Sequence, residues 1–353
     1  MINLYSDTQT LPTEAMREAM ARAPVGDEQR MEDPSVNRLC ETVADLLGKE
    51  AAVFLPSGTM CNELAIRVHC TAGDEIIADR TAHIVHFEGG APAALSGVMI
   101  APLDGERGVF SGEQARAAVR DPANRYAPRT RLLAVEQTAN LGGGTVWPVD
   151  ALRAVVAVAR EHGLATHMDG ARMLNAAVAS GVPARTIADG FDTVWIDLSK
   201  GLGCPVGAVL ATSRDRLDDV WRWKQRLGGA MRQAGILAAA GIHAFEHHVE
   251  RLADDHRLAR RFAEGVAGIE GLDIDLDAAE TNIVYFRLAE TAEGSAKDVV
   301  AALAERGVSI GALGPRLLRA VTHLDVDAAD VDAALEALRG VMADAPDRPR
   351  SGA

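Results

Sequence analysis

Apolar and polar positions divide the chain into short apolar runs alternating with stretches of helical spacing. Ala51–Leu55 is an unbroken apolar run, Pro56-Ser57-Gly58-Thr59 interrupts it, and residues 60–70 carry apolar side chains at helical intervals. The pattern recurs: strands are expected at 75–78, 98–102, 130–137, 164–168 and 193–198, with helices at 111–119 and 151–162 and one following Asp169 to about residue 180. Before this series come a polar start at 1–12 that reads as a frayed terminus or as site residues, a helix at 13–23, a turn-rich connection, and a helix at 35–47 opened by Pro34 and closed by Gly48. From residue 236 to about 269 the pattern is helical throughout and is expected to link a large domain to a smaller one. The last hundred residues alternate strands at 281–287 and 316–322 with helices at 295–306 and 328–343. The expected division is a large α/β domain over 1–240 with its N-terminal arm, a small α+β domain over 241–343, and a disordered tail at 344–353.

Charge and composition narrow the class of function. The net charge of −14, from 36 basic and 50 acidic residues, argues against a phosphate-backbone binder, which needs clustered Lys and Arg. No uncharged run is long enough to span a bilayer, so no membrane partner is expected. Cys40, Cys61, Cys70 and Cys204 form no Cys-x-x-Cys pair and lie in apolar segments, which suggests free thiols in a reducing compartment. With no basic start or apolar leader at Met1 to Asp7, a cytoplasmic protein is expected.

Three chemically distinct features fall just past apolar strands. Ser57-Gly58-Thr59 joins a strand to a helix start, the arrangement that aims backbone N–H groups at an anion. Asp169 follows the 164–168 strand, and Lys200 interrupts the 193–198 strand with Ser199 and Gly201. Alone, the turn reads as an ordinary capped helix and the lysine as a solvated turn residue. Open α/β sheets gather ligands at the carboxyl ends of their strands, so the three are expected to converge. Amine, carboxylate and anion cup together suit pyridoxal 5′-phosphate: the lysine for the Schiff base, the acid to keep the pyridine nitrogen protonated, the helix start for the phosphate. His83 and His86, three apart with no second cluster, do not complete a metal set, and no metal is expected.

The residues also resemble the threonine aldolase family of fold-type-I, aspartate aminotransferase-like enzymes that use pyridoxal phosphate. The likeness is carried by Ser6-Asp7-Thr8-Gln9-Thr10, Val25-Gly26-Asp27, Phe54-Leu55-Pro56-Ser57-Gly58-Thr59, Ala82-His83 with Glu88, His167-Met168-Asp169-Gly170-Ala171-Arg172, Leu198-Ser199-Lys200-Gly201-Leu202, Gly228 to Gly235, and Arg319-Ala320-Val321-Thr322-His323-Leu324-Asp325. The resemblance implies a mostly parallel sheet in the large domain, a homo-oligomer (commonly a tetramer), and cleavage of β-hydroxy-α-amino acids such as L-threonine or L-allo-threonine to glycine and an aldehyde. It implies that Lys200 holds the cofactor, Asp169 pairs with the pyridine nitrogen, and His83 stacks on the ring. Ser57, Gly58 and Thr59 take the phosphate, Arg232 reaches it from a neighbouring subunit, and Ser199 and Arg172 are further cofactor contacts. Ser6, Arg172 and Arg319 hold the substrate carboxylate, and His83, supported by Glu88, is the candidate base. A β-eliminating lyase or a transaminase on the same fold, or a noncatalytic cofactor-binding protein, remain the alternatives.

The chain departs from the family pattern around the substrate side chain. Arg30-Met31 stands where a Tyr-Gly pair is frequent, Ala139 replaces a histidine associated with the substrate hydroxyl, Phe87 replaces a tyrosine, and Gln225 stands where a lysine near the phosphate is common. Ala139 offers no side-chain hydrogen bond, so a shifted or relaxed preference at the β-carbon is expected, with His86 a candidate replacement.

Overall fold

The computed structural model describes residues 1–344. Of the expected tail, Asp344 caps the last helix, Ala328–Ala343, and 345–353 lie outside the described residues. The chain opens with a two-residue strand, β1 (Ile2–Asn3). The large sheet then takes β2 (Ala51–Leu55), β3 (Asp74–Asp79), β4 (Met99–Leu103), β5 (Arg129–Glu136), β6 (Ala165–Asp169), β7 (Thr193–Asp197) and β8 (Ala208–Thr212) in the order β2-β8-β7-β6-β5-β3-β4. Only β8 runs antiparallel to its neighbours β2 and β7; the remaining pairings are parallel. β3, β7 and β8 are buried at every position, as strands covered by helices on both faces must be. β8 is absent from the series expected from sequence. It forms because Gly207, at φ 110°, turns the chain back beside β2, where a side chain would collide with the Phe54 ring.

A four-stranded antiparallel sheet, β12-β13-β10-β9, forms the second layer from β9 (Leu272–Asp273), β10 (Ile283–Leu288), β12 (Gly311–Ala312) and β13 (Leu317–Val321), with β11 (Val308–Ser309) pairing instead with β1. The 236–269 stretch is two helices, Gly235–His247 and Leu252–Ala267, broken between them. Packing divides differently from the expected boundary at 240/241. Ala238, Ala240, Ala244 and Leu252 belong to the core around the large sheet, and the second core begins at Leu258.

The arm also differs from a frayed start. Leu4 is fully buried in the second core, the Val321 N–H donates to the Leu4 carbonyl, and the Leu11 N–H donates to Asp325 at 2.8 Å. Residues 2–4 therefore pack with the C-terminal layer, and the following turn, Asp7–Gln9 capped by Ser6, is carried across the edge of the large sheet.

Candidate active site

The helix Gly58–His69 starts directly after β2. The Ser57 hydroxyl accepts from the Met60 N–H at 3.2 Å, and the Cys61 N–H reaches the Ser57 carbonyl. Among the described residues no acceptor meets the N–H groups of Gly58 and Thr59, the helix-start donors that suit an anion. Gly58 is required locally, because a β-carbon there would run into the Trp195 ring.

Asp169 ends β6 and is 5 % exposed. Its Oδ1 accepts from the Ala171 N–H at 3.0 Å and its Oδ2 from Asn62 Nδ2 at 2.9 Å. Burial raises its pKa, and His83, Asn62 and Lys200 partly offset that rise. Lys200 lies three residues past β7 with its Nζ 2.6 Å from Asp197 Oδ2, and Asp197 Oδ1 also accepts from the Ser199 N–H and hydroxyl. The lysine side chain is 15 % exposed, so its amine sits at the floor of the edge rather than in bulk water.

His83 begins the short helix His83–His86. Its Nδ1 is 2.6 Å from Glu88 Oε1 and its backbone N–H donates to Glu136 Oε2 at 2.9 Å. Burial pulls the imidazolium pKa down, but the Glu88 hydrogen bond and the charges of Asp169, Glu88 and Glu136 outweigh it, and the net shift is upward. Burial pushes Glu88 up, yet bonds from His83 and Asn62 leave it below the usual carboxylate value. Glu136 ends β5 opposite Asp169; burial and then the Asp169 charge push it up to about 7.

The Arg172 guanidinium forks onto Asp7, Nε to Oδ2 and Nη2 to Oδ1, both at 2.7 Å, and both residues are buried. Burial alone would raise the Asp7 pKa, but the guanidinium beside it holds the carboxyl well below the usual range. Arg319 on β13 donates to Asn140 Oδ1 at 3.3 Å and to the Tyr5 carbonyl at 3.2 Å, while its buried Nε has no protein partner. Ser6, Asp7, Arg172 and Arg319 thus lie along one path from the arm to the large sheet. Arg232 is elsewhere: its side chain is 64 % exposed and pairs with Asp27 at 3.1 Å.

Several residues here were not singled out from sequence. Asn62, Asp197 and Glu136 are polar residues inside or at the end of apolar stretches, and that mismatch is the signal that could have marked them. Of the departures, Phe87 packs against His83 with ring centroids 5.3 Å apart. Ala139 is buried at 3 % exposure, and a β-carbon built at Gly108 would lie 2.6 Å from its methyl. Arg30 is bound to Glu32 at the surface, and the His86 ring is tied to the Arg80 carbonyl at 2.9 Å.

A lysine, a buried acid and a helix start at the carboxyl edge of a seven-stranded sheet, with a second α/β layer beside it, define the fold-type-I architecture of pyridoxal phosphate enzymes. The family model for beta-eliminating lyases matches residues 3–289, and the chain belongs to that family. The low specificity L-threonine aldolase of Escherichia coli K12 is 41 % identical over 327 residues, covering 92 % of this chain and 95 % of the relative. The low-specificity L-threonine aldolase 1 of Arabidopsis thaliana is 36 % identical over 344 residues, 97 % of this chain and 96 % of the relative. Among solved structures, the Leishmania major threonine aldolase superposes with a TM-score of 0.82 at 19 % identity, covering 96 % of this chain and 99 % of the other.

Proposed function

We propose that the protein is a pyridoxal 5′-phosphate-dependent aldolase that cleaves L-threonine, L-allo-threonine or related β-hydroxy-α-amino acids to glycine and an aldehyde. The observation that carries the reading is the hydrogen-bonded His83–Glu88 pair set beside Asp169 at the same edge as Lys200. The residues fit the cofactor: the free N–H groups of Gly58 and Thr59 suit its phosphate, buried Asp169 suits its ring nitrogen, and Lys200 its aldehyde. When bound, the cofactor supplies an electron sink for the Cα carbanion.

The chain's own groups supply the rest. Asp197 holds the Lys200 amine in place until it is used. Arg319, with an unpartnered Nε, offers a donor to the substrate carboxylate from the C-terminal layer. Ser6 lies beside it on the arm, and Arg172 joins them through Asp7. His83 in its neutral form accepts the β-hydroxyl proton, and Glu88 stabilises the imidazolium that results. Phe87 sets one wall beside His83, so the β-substituent is selected there.

The same reading includes a cytoplasmic location, supported by four free cysteines, and a homotetramer in which the exposed Arg232 serves a neighbouring subunit's phosphate. Among the described residues no helix is long and apolar enough to cross a membrane. The deciding experiment is a panel of β-hydroxy amino acids with glycine measured for each, and borohydride labelling of Lys200. Glycine with aldehyde is the expected product; pyruvate with ammonia, or a keto acid, would instead establish an eliminating lyase or a transaminase.

A further inference from the structure

Asn62 sits one turn into the helix that opens at Ser57 and is fully buried. Its Nδ2 donates to Glu88 Oε1 and to Asp169 Oδ2, each at 2.9 Å. Its Oδ1 accepts from Trp195 Nε1 at 2.7 Å and from His167 Nε2 at 3.0 Å. Chemistry decides the orientation of the amide: an indole only donates and an ionised carboxylate only accepts, so oxygen faces Trp195 and nitrogen faces the two acids. Both protons and both lone pairs are used.

The polarity continues behind it. Because His167 Nε2 donates, its Nδ1 accepts from the Thr193 hydroxyl at 2.9 Å. The Thr193 oxygen in turn accepts from His69 Nε2 at 3.1 Å. Burial brings the pKa of each histidine down to about 3, so both are neutral and the chain carries no charge of its own. Among the described residues it ends at the two carboxylates.

We propose that Asn62 is a positioning residue which joins the Asp169 carboxylate to the His83–Glu88 pair in one hydrogen-bonded frame, donating to both acids where, among the described residues, no arginine bonds to either. The titratable groups facing this frame are Glu63 from the same helix, Glu136 from the end of β5, Lys200 after β7, and His83 itself. Acids outnumber cations there, so each neutral N–H donor counts. Without the two Asn62 donors, Glu88 and Asp169 become more basic and the imidazolium between them is held more tightly. The geometric claim stands on this chain alone; its bearing on catalysis rests on the proposed aldolase reading.

Asn62→Leu separates this role from packing. The variant keeps a branched side chain of similar size, adds no charge beside the two acids and loses both N–H donors. Two midpoints are read: the His83 imidazole titration by NMR in cofactor-free protein, and the acid limb of kcat/KM for glycine formation by the holoenzyme. Both are expected to move up by about one pH unit, the size of one lost charge-assisted hydrogen bond. A purely structural residue would lower the melting temperature and leave the midpoints where they are. A folded Asn62→Leu protein with wild-type midpoints overturns the proposal. Should it fail to fold, Asn62→Ser, a smaller side chain with one donor, is read the same way: raised midpoints support the frame and unmoved ones overturn it. Wild-type enzyme that makes no glycine would refute the aldolase reading while leaving the NMR comparison intact.

Discussion

Glu63 faces inward from the helix Gly58–His69 at 2 % exposure, and neither of its carboxyl oxygens has a protein partner. Burial, with the Glu88 charge behind it, pushes its pKa from 4.5 up to about 8. The folded protein therefore holds a proton there that the unfolded chain has lost above pH 4.5. Stability carried by this group is full below that value, declines as pH rises, and is gone above about 8. Taken whole, a shift of this size corresponds to about 5 kcal/mol; local relaxation and water entry cut buried-charge penalties, and about 2 kcal/mol is the expected share. Glu63→Gln substitutes a neutral side chain of the same shape for the protonated acid. Urea unfolding followed across pH should show the variant matching wild type near pH 4 and exceeding it by about 2 kcal/mol above pH 8.5. A difference that stays constant with pH, or a wild type that gains stability toward alkaline pH relative to the variant, would refute the assignment of Glu63 as a neutral buried acid.

Two further outcomes follow from the site. On the proposed assignment His83 is the base and works only when neutral, and its pKa is shifted upward from the ordinary 6.5, so kcat/KM should fall as pH drops through a midpoint above that value. His83→Phe should abolish this limb and lower kcat/KM by about 10²- to 10⁴-fold. Gly58→Ala drives a methyl into the Trp195 ring; the expected cost is about 1–3 kcal/mol, read as a lowered melting temperature together with weaker cofactor retention in dialysis.

The alternation of strands and helices was legible because most strands of the large sheet carry a short apolar stretch followed by a turn, and the site falls at those ends. Ser57, Asp169 and Lys200 could be placed for that reason alone. β8 was not legible, because Ala-Val-Leu-Ala-Thr following several glycines carries the same apolar signal as a helix flank, and only the neighbouring strands make it a strand. What anchors the arm was not legible for a related reason: its polar pattern says nothing of Leu4, one apolar residue whose burial depends on a strand far along the chain. Arg172 shows a different limit. Its motif marks it as a site residue, while its bidentate partner Asp7, 165 positions away, is visible only in three dimensions.

The arm has a consequence for how the protein comes into being. Ile2 pairs with Val308, and Leu11 binds Asp325 across 314 positions of sequence. During synthesis the large sheet can be complete while the arm still has nothing to hold it, and Arg172 must wait beside an Asp7 that is not yet anchored. Such distant pairings close late and slowly. Asp7 and the arm that carries it are therefore among the earliest residues made and the last to settle, because the strand at Val308 and the side chain of Asp325 that anchor them are made so much later.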